Sequence, residues 1–126
     1  MIRKLLNRQV DRFEAIHRVV MDGVARDWVD IWIQVECEGS GTSVARFVKS
    51  GKIPQPTYVG IAFPDFAPFI ALNRDSNPRW TTMTLLYTRN NNGATHFKAE
   101  AGYEPVPIEN EYERRLAWKA KYLTPG

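Results

Sequence analysis

The side chains able to do chemistry are few and stand apart. His17, Cys37 and His96 fall on three different predicted elements. A metal centre needs several nitrogen, oxygen or sulfur ligands converging on one point. Cys37 continues the alternation Val29, Ile31, Ile33, Val35. It therefore reads as a small buried apolar side chain and not as a thiolate nucleophile. His17 flanks the apolar stripe of the first predicted helix and reads as a hydrogen-bonded boundary residue, while His96 alternates outward. The pairs Glu36/Glu38 and Glu111/Glu113 could share acid–base work only if burial drove their pKa values apart, and the sequence carries no sign of that burial. Gly39-Ser40-Gly41-Thr42-Ser43 could cradle a phosphate if a helix began there. The alternation that follows it says strand, so it reads as a hairpin turn. GxxxxGK[ST], HExxH, GxSxG and CxxC are all missing from the sequence. The expectation is a protein with no catalytic residue, no cofactor and no metal.

The elements that would position these residues can be read from periodicity. Residues 2–24 predict an amphipathic helix, with Ile2, Leu6, Phe13, Ile16, Val20 and Val24 on one stripe and Gly23 near its stop. Arg3, Lys4, Arg8, Asp11, Arg12, Glu14 and Arg18 take the wet side. Residues 28–38 predict a strand with Val29, Ile31, Ile33, Val35 and Cys37 on one face and Trp28, Asp30, Trp32, Gln34 and Glu36 on the other. Residues 42–49 return as its hairpin partner. Thr57–Phe63 predicts a third strand; the 64–79 segment leaves a helix open, since Pro64 fits the first turn of a short helix through Leu72 only if Pro68 stays near that turn or bends it, and residues 73–78 read as loop. Residues 80–88 and 94–101 form a second hairpin around Asn92-Gly93, with Phe97, Ala99 and Ala101 facing inward. Asn110 caps a last helix, Glu113 completes a capping box, and Tyr112, Leu116, Ala120 and Leu123 form its apolar stripe. The order implies one domain over residues 1–126 of α+β class. Its antiparallel sheet of four to five strands packs against the N-terminal and C-terminal helices.

Composition narrows the setting. The content of 44% hydrophobic and 25% charged residues is that of an ordinary globular domain. No apolar run approaches the roughly 20 residues needed to span a bilayer. A single cysteine cannot close an intramolecular disulfide, which suits a reducing cytoplasm. The net charge of +3 conceals two stretches without a base. Residues 27–45 carry Asp27, Asp30, Glu36 and Glu38, and residues 99–113 carry Glu100, Glu104, Glu109, Glu111 and Glu113. Such blocks are ordinarily solvated surface, and their functional reading is a patch that meets a basic partner. Residues 1–26, most of them in the first helix, instead carry six basic residues, which keeps a small nucleic-acid-binding module as the alternative. Asp11, Glu14 and Asp22 interrupt that basic face and make this the weaker reading.

The last third of the chain carries an ordered set of residues. Trp80-Thr81 opens a strand, Gly93 turns it, and Phe97-Lys98 lies on the return. Tyr103-Glu104 follows, and then Tyr112-Glu113-Arg114-Arg115 with Trp118, Lys121, Tyr122 and Leu123. This order resembles the C-terminal signature of the YezG family of bacterial immunity proteins. Earlier residues match only in element order, the 64–79 segment is shorter and Pro-interrupted, and the sequence pI of about 9.2 is unusually basic for that family. The resemblance implies a cytoplasmic antitoxin of bacterial competition, as in contact-dependent growth inhibition. It would bind a cognate toxin domain as a heterodimer and block it by steric and electrostatic means, a nuclease being one toxin class this would fit. Trp118 and Tyr122 would then hold the second hairpin to the last helix. The expected toxin-facing residues are Glu100, Tyr103, Glu104, Glu109 and Glu111. Asp30, Trp32 and Glu36 on the outer face of the first strand form a second set.

Overall fold

A computed structural model describes residues 2–38, 41–106 and 110–123, with side chains from Asp11 onward. The predicted turn at Gly39-Ser40 and the predicted site residue Glu109 lie outside the described residues. The chain runs α1 (Ile2–Met21), β1 (Trp28–Glu38), β2 (Gly41–Ser50), β3 (Thr57–Tyr58), a 3-10 turn (Phe63–Phe66), α2 (Ala67–Asp75), β4 (Thr82–Arg89), β5 (Thr95–Gly102) and α3 (Glu111–Tyr122). The strands form one antiparallel sheet in the order β3-β2-β1-β4-β5. The fold is α+β.

Period-two alternation decides the two faces of this sheet. Directly paired residues share a face. Ile31 lies between Val48 and Tyr87, Ile33 between Arg46 and Leu85, and Val35 between Val44 and Met83. This apolar face packs against Ile16 and Val20 of α1 and Phe69 and Leu72 of α2, all buried. Full burial of each such side chain is worth about 1.5–3 kcal/mol. The opposite face carries Gln34 and Glu36 of β1, Phe47 of β2 and Thr84 of β4. It receives α3 through Arg114 on Glu36 and Trp118 on Thr84. The terminal helices thus cover opposite faces, giving three layers, and α2 joins α1.

Several local expectations change. The register breaks between Trp28 and Asp30, so two β1 residues share one step of β2. This bulge turns Trp28 from the predicted outer face into the core, under the Arg89 guanidinium 4.3 Å above its ring. The third strand is only Thr57–Tyr58, because the following carbonyls of Val59 and Gly60 are drawn to a side chain and not to a strand partner. Helix α2 runs to Asp75, beyond the predicted stop, with Pro68 in its first turn. Asn110 sits in the left-handed region (φ 69°) and makes no side-chain cap, so the predicted capping box does not form. Phe97, Ala99 and Ala101 lie on the α1 side of the sheet but remain exposed, because β5 is an edge strand.

The side chain that captures those carbonyls is Arg46. It alternates with Val44 and Val48 and is only 4% exposed. Its guanidinium donates Nε to Val59 O (2.9 Å), Nη2 to Gly60 O (3.0 Å) and Nη1 to the carbonyls of Val19 (3.1 Å), Val20 (3.0 Å) and Asp22 (2.9 Å). The last three are carbonyls at and just past the α1 C-terminus, where helical pairing runs out and the negative end of the helix dipole lies. Burial pulls the Arg46 pKa down, opposed by Asp22 and Asp65, but an arginine stays charged. Replacing Arg46 by Met should cost about 3 kcal/mol or more, because the buried carbonyls lose their donors. Replacing it by Lys should recover only part, because the planar fork is lost. Chemical denaturation of the three proteins measures this.

His17 shares a hydrogen bond through Nδ1 with the Tyr87 hydroxyl and meets Tyr87 and Phe97 edge-on. Burial lowers its pKa, with Glu14 pulling the other way, and burial pushes the Tyr87 phenol well up. Below about pH 6.5 the unfolded chain takes up a proton that folded His17 resists. This contribution to stability is therefore intact above that pH and declines as pH falls toward the folded-state pKa. Melting temperatures should drop on acidification below about pH 6.5. The drop should be shallower in His17→Gln, and an equal slope in both proteins would exclude His17 as the source.

Candidate partner-binding surface

The α3 side of the sheet holds most of the residues singled out by the sequence. Its foundation is β1, whose Gln34 and Glu36 point away from the apolar core and are nonetheless buried. A buried carboxylate needs a cation and hydrogen bonds. Arg114 supplies both in a fork, Nε to Oε2 at 3.0 Å and Nη2 to Oε1 at 3.2 Å. That bond to Glu36 holds the Arg114 pKa above its ordinary value. One turn on, Trp118 donates Nε1 to Thr84 Oγ1 at 2.8 Å and lies 5.5 Å from the Phe47 ring and 5.3 Å from Tyr122. Arg115 donates to Ser43 Oγ at 3.3 Å. On the neighbouring loop, Glu38 Oε2 accepts the backbone N–H of the buried Val106 at 3.1 Å. Trp118 therefore ties α3 to both sheet halves, and Tyr122 stacks against it.

This arrangement changes part of the predicted facing. Trp118 meets the sheet as expected, but Arg114 and Arg115 do so too, and of the expected apolar stripe Tyr112 and Leu116 face out while Leu123 stays half-buried in the cleft with Trp32. Tyr112 is 75% exposed and Leu116 47% exposed, and α3 has no buried residue. The physical reason lies across the interface. The sheet surface below α3 presents the acceptors Glu36 and Thr84, so the helix turns its donors inward to meet them.

The predicted site residues part company here. Glu36 is 8% exposed and held by Arg114, so its carboxylate belongs to the interior and offers a partner almost no surface. Glu100 and Glu111 are exposed, with cations of α3 nearby: Lys121 at 3.7 Å and Arg115 at 3.9 Å. Tyr103 and Glu104 are exposed on the loop after β5. Asp30 and Trp32 line an open cleft of about 570 Å³ with Phe47, Lys49, Tyr58 and Lys119. Glu111 lines a different cleft of about 390 Å³ with Glu36, Glu38, Val106 and Arg114. Asp30 and Trp32 therefore stand apart from the first set, while Glu36 lies beside it, sharing one cleft with Glu111 and another with Glu100. Missed altogether were Tyr112 and Leu116 as surface residues. The available signal was the clash between an apolar α3 stripe and a sheet face already rich in polar residues.

Among the described residues, no three His, Cys, Asp or Glu side chains cluster as metal ligands, and no helix is long and apolar enough to cross a membrane. The Cys37 thiol is buried, and burial raises its pKa, partly offset by a contact with Thr42 Oγ1 at 3.7 Å. Compared with known proteins, the chain matches no family model and no curated protein.

The Glu36–Arg114 pair should be the main anchor of α3. Arg114→Met leaves a buried carboxylate without its cation, at a cost of about 3–5 kcal/mol. Hydrogen exchange should speed up in α3 far more than in β1 or β4. Equal acceleration in all three would mean that α3 is not a separately anchored element.

Proposed function

We propose that the protein is a cytoplasmic immunity protein that binds a cognate toxin domain and blocks it without chemistry of its own. One observation carries this reading: α3 is fixed to the sheet by its polar side and displays its apolar side to solvent. Tyr112 and Leu116 occupy neighbouring turns of that outward face, flanked by Glu111 and Glu113. An exposed apolar centre with a charged rim is the anatomy of a protein-binding patch, and an outward tyrosine is a favourable anchor. The order of residues shared with YezG-type proteins supports the same reading. Tyr103 and Glu104 are also exposed, on the loop after β5. The acids of the patch would steer a partner with a basic cleft, such as a nuclease. Among the described residues Glu113 and Glu104 have no ion pair, so they are the acids with most charge left to offer.

The test is to sequence the genes beside this one, co-express the protein with a toxin domain found there, and purify the pair; a neighbourhood without such a gene would count against the proposal. Growth should be restored and a one-to-one complex recovered. The double variant Tyr112→Ala with Leu116→Ala removes exposed side chains, so its stability should stay within about 1 kcal/mol of the parent. Its affinity for the toxin should fall by about tenfold or more. Unchanged affinity would move the interface off α3. Failure to protect, together with salt-dependent retention on an oligonucleotide, would replace the proposal with nucleic-acid binding.

A further inference from the structure

The outer edge of β5 is open along its length. The strand closes one side of the sheet, and its residues Thr95–Ala101 are exposed on both faces. Such an edge presents unpaired backbone donors and acceptors to any strand that fits. Which groups face outward follows from the hairpin. Asn90 N donates to Ala94 O at 2.9 Å, and Gly93 (φ 82°) closes the three-residue turn. Hydrogen-bonded pairs then alternate down the ladder, at Thr88–His96, Leu86–Lys98 and Thr84–Glu100. The N–H and C=O groups of Thr95, Phe97, Ala99 and Ala101 therefore point away from β4.

We propose that the chain forms a two-fold homodimer in which β5 pairs antiparallel with β5 of a second copy, centred on Ala99. Charge selects this register. With Ala99 opposite Ala99, every outward-pointing residue meets another of its kind, and Phe97 faces Ala101 across the two-fold. Lys98 then lies directly opposite Glu100, twice, in the closely spaced pairs where side chains interact most. Among the described residues Lys98 has no ion pair within its own chain, and Glu100 has only the exposed Lys121 at 3.7 Å. A two-fold centred on Lys98 would oppose two lysines, and one centred on Glu100 would oppose two glutamates. On the other face, Phe97, 39% exposed beside Phe13 and His17, would be covered along with Ala99 and Ala101. The result is one continuous sheet through two copies. The interface uses the sheet edge and leaves the outward side of α3 in place.

Sedimentation of the full chain at rising concentration should show a monomer–dimer equilibrium, weak because a single strand pair buries little area. Lys98→Glu and Glu100→Lys should each raise the dimer dissociation constant by about tenfold, and the double exchange should bring it back. Ala99→Pro should abolish the dimer while the monomer keeps its circular dichroism and melting temperature, since the lost N–H faces solvent. Amide exchange at Phe97, Ala99 and Ala101 should slow with concentration, while that at Lys98 and Glu100 stays constant. A monomer at every concentration, assembly beyond a dimer, or charge exchange without recovery would overturn the proposal. If Ala99→Pro fails to fold, the charge exchange and the amide pattern still decide.

Discussion

A single buried guanidinium organises the core side of this fold. Arg46 occupies a register position that the alternation of β2 assigns to the interior, where an unpaired charge would be prohibitive. It is tolerated because five backbone carbonyls from two segments converge on it. Three belong to the frayed end of α1, which thereby gains a cap on the sheet. Two belong to residues 59–60, whose carbonyls are thereby diverted from strand pairing although Val59 N–H still donates to Arg46 O. Gly23, in the left-handed conformation (φ 75°), lets the chain turn at the end of α1, and Arg46 then ties that end to the segment after β3. The charge is balanced by dipoles, since Asp22 and Asp65 act on it only from a distance.

The other side of the sheet works by a different rule. There the adhesive is directional: a forked ion pair, an indole hydrogen bond and ring stacking hold α3, with little apolar burial. This is why the helix can keep its apolar face free. Directional bonds also fix its orientation, since Arg114 and Trp118 sit four residues apart and must reach Glu36 and Thr84 together. A helix held only by oily contact would have had no reason to leave Tyr112 and Leu116 in water.

Most of this architecture is written locally. The alternations of β1, β2, β4 and β5 and the apolar spacing around Ile16 and Val20 are short-range patterns, and the sheet and terminal helices follow from them. What was illegible is relational. The facing of α3 depends on Glu36, far away in sequence, and a helix wheel weighs Leu116 without knowing what lies opposite. The bulge at Trp28 leaves no local mark, and one extra residue reverses a face. Arg46 did leave a mark, a charge on an otherwise apolar face, but its carbonyl partners come from segments that periodicity does not join. The same limit applies to the candidate surface. Glu36 and Glu100 look alike in sequence, yet one is enclosed by Arg114 and the other lies on an open edge.

The central position of β1 has a kinetic meaning. β1 and β2 are close in sequence, as are β4 and β5, so each hairpin can zip up quickly without the other. Joining them means bringing Ile33 against Leu85 across the whole intervening excursion, which carries the largest loop-closure entropy in the sheet. The barrier to folding should therefore lie at the docking of two preformed halves along this seam, and α3, whose anchors are spread across both, can settle only afterwards.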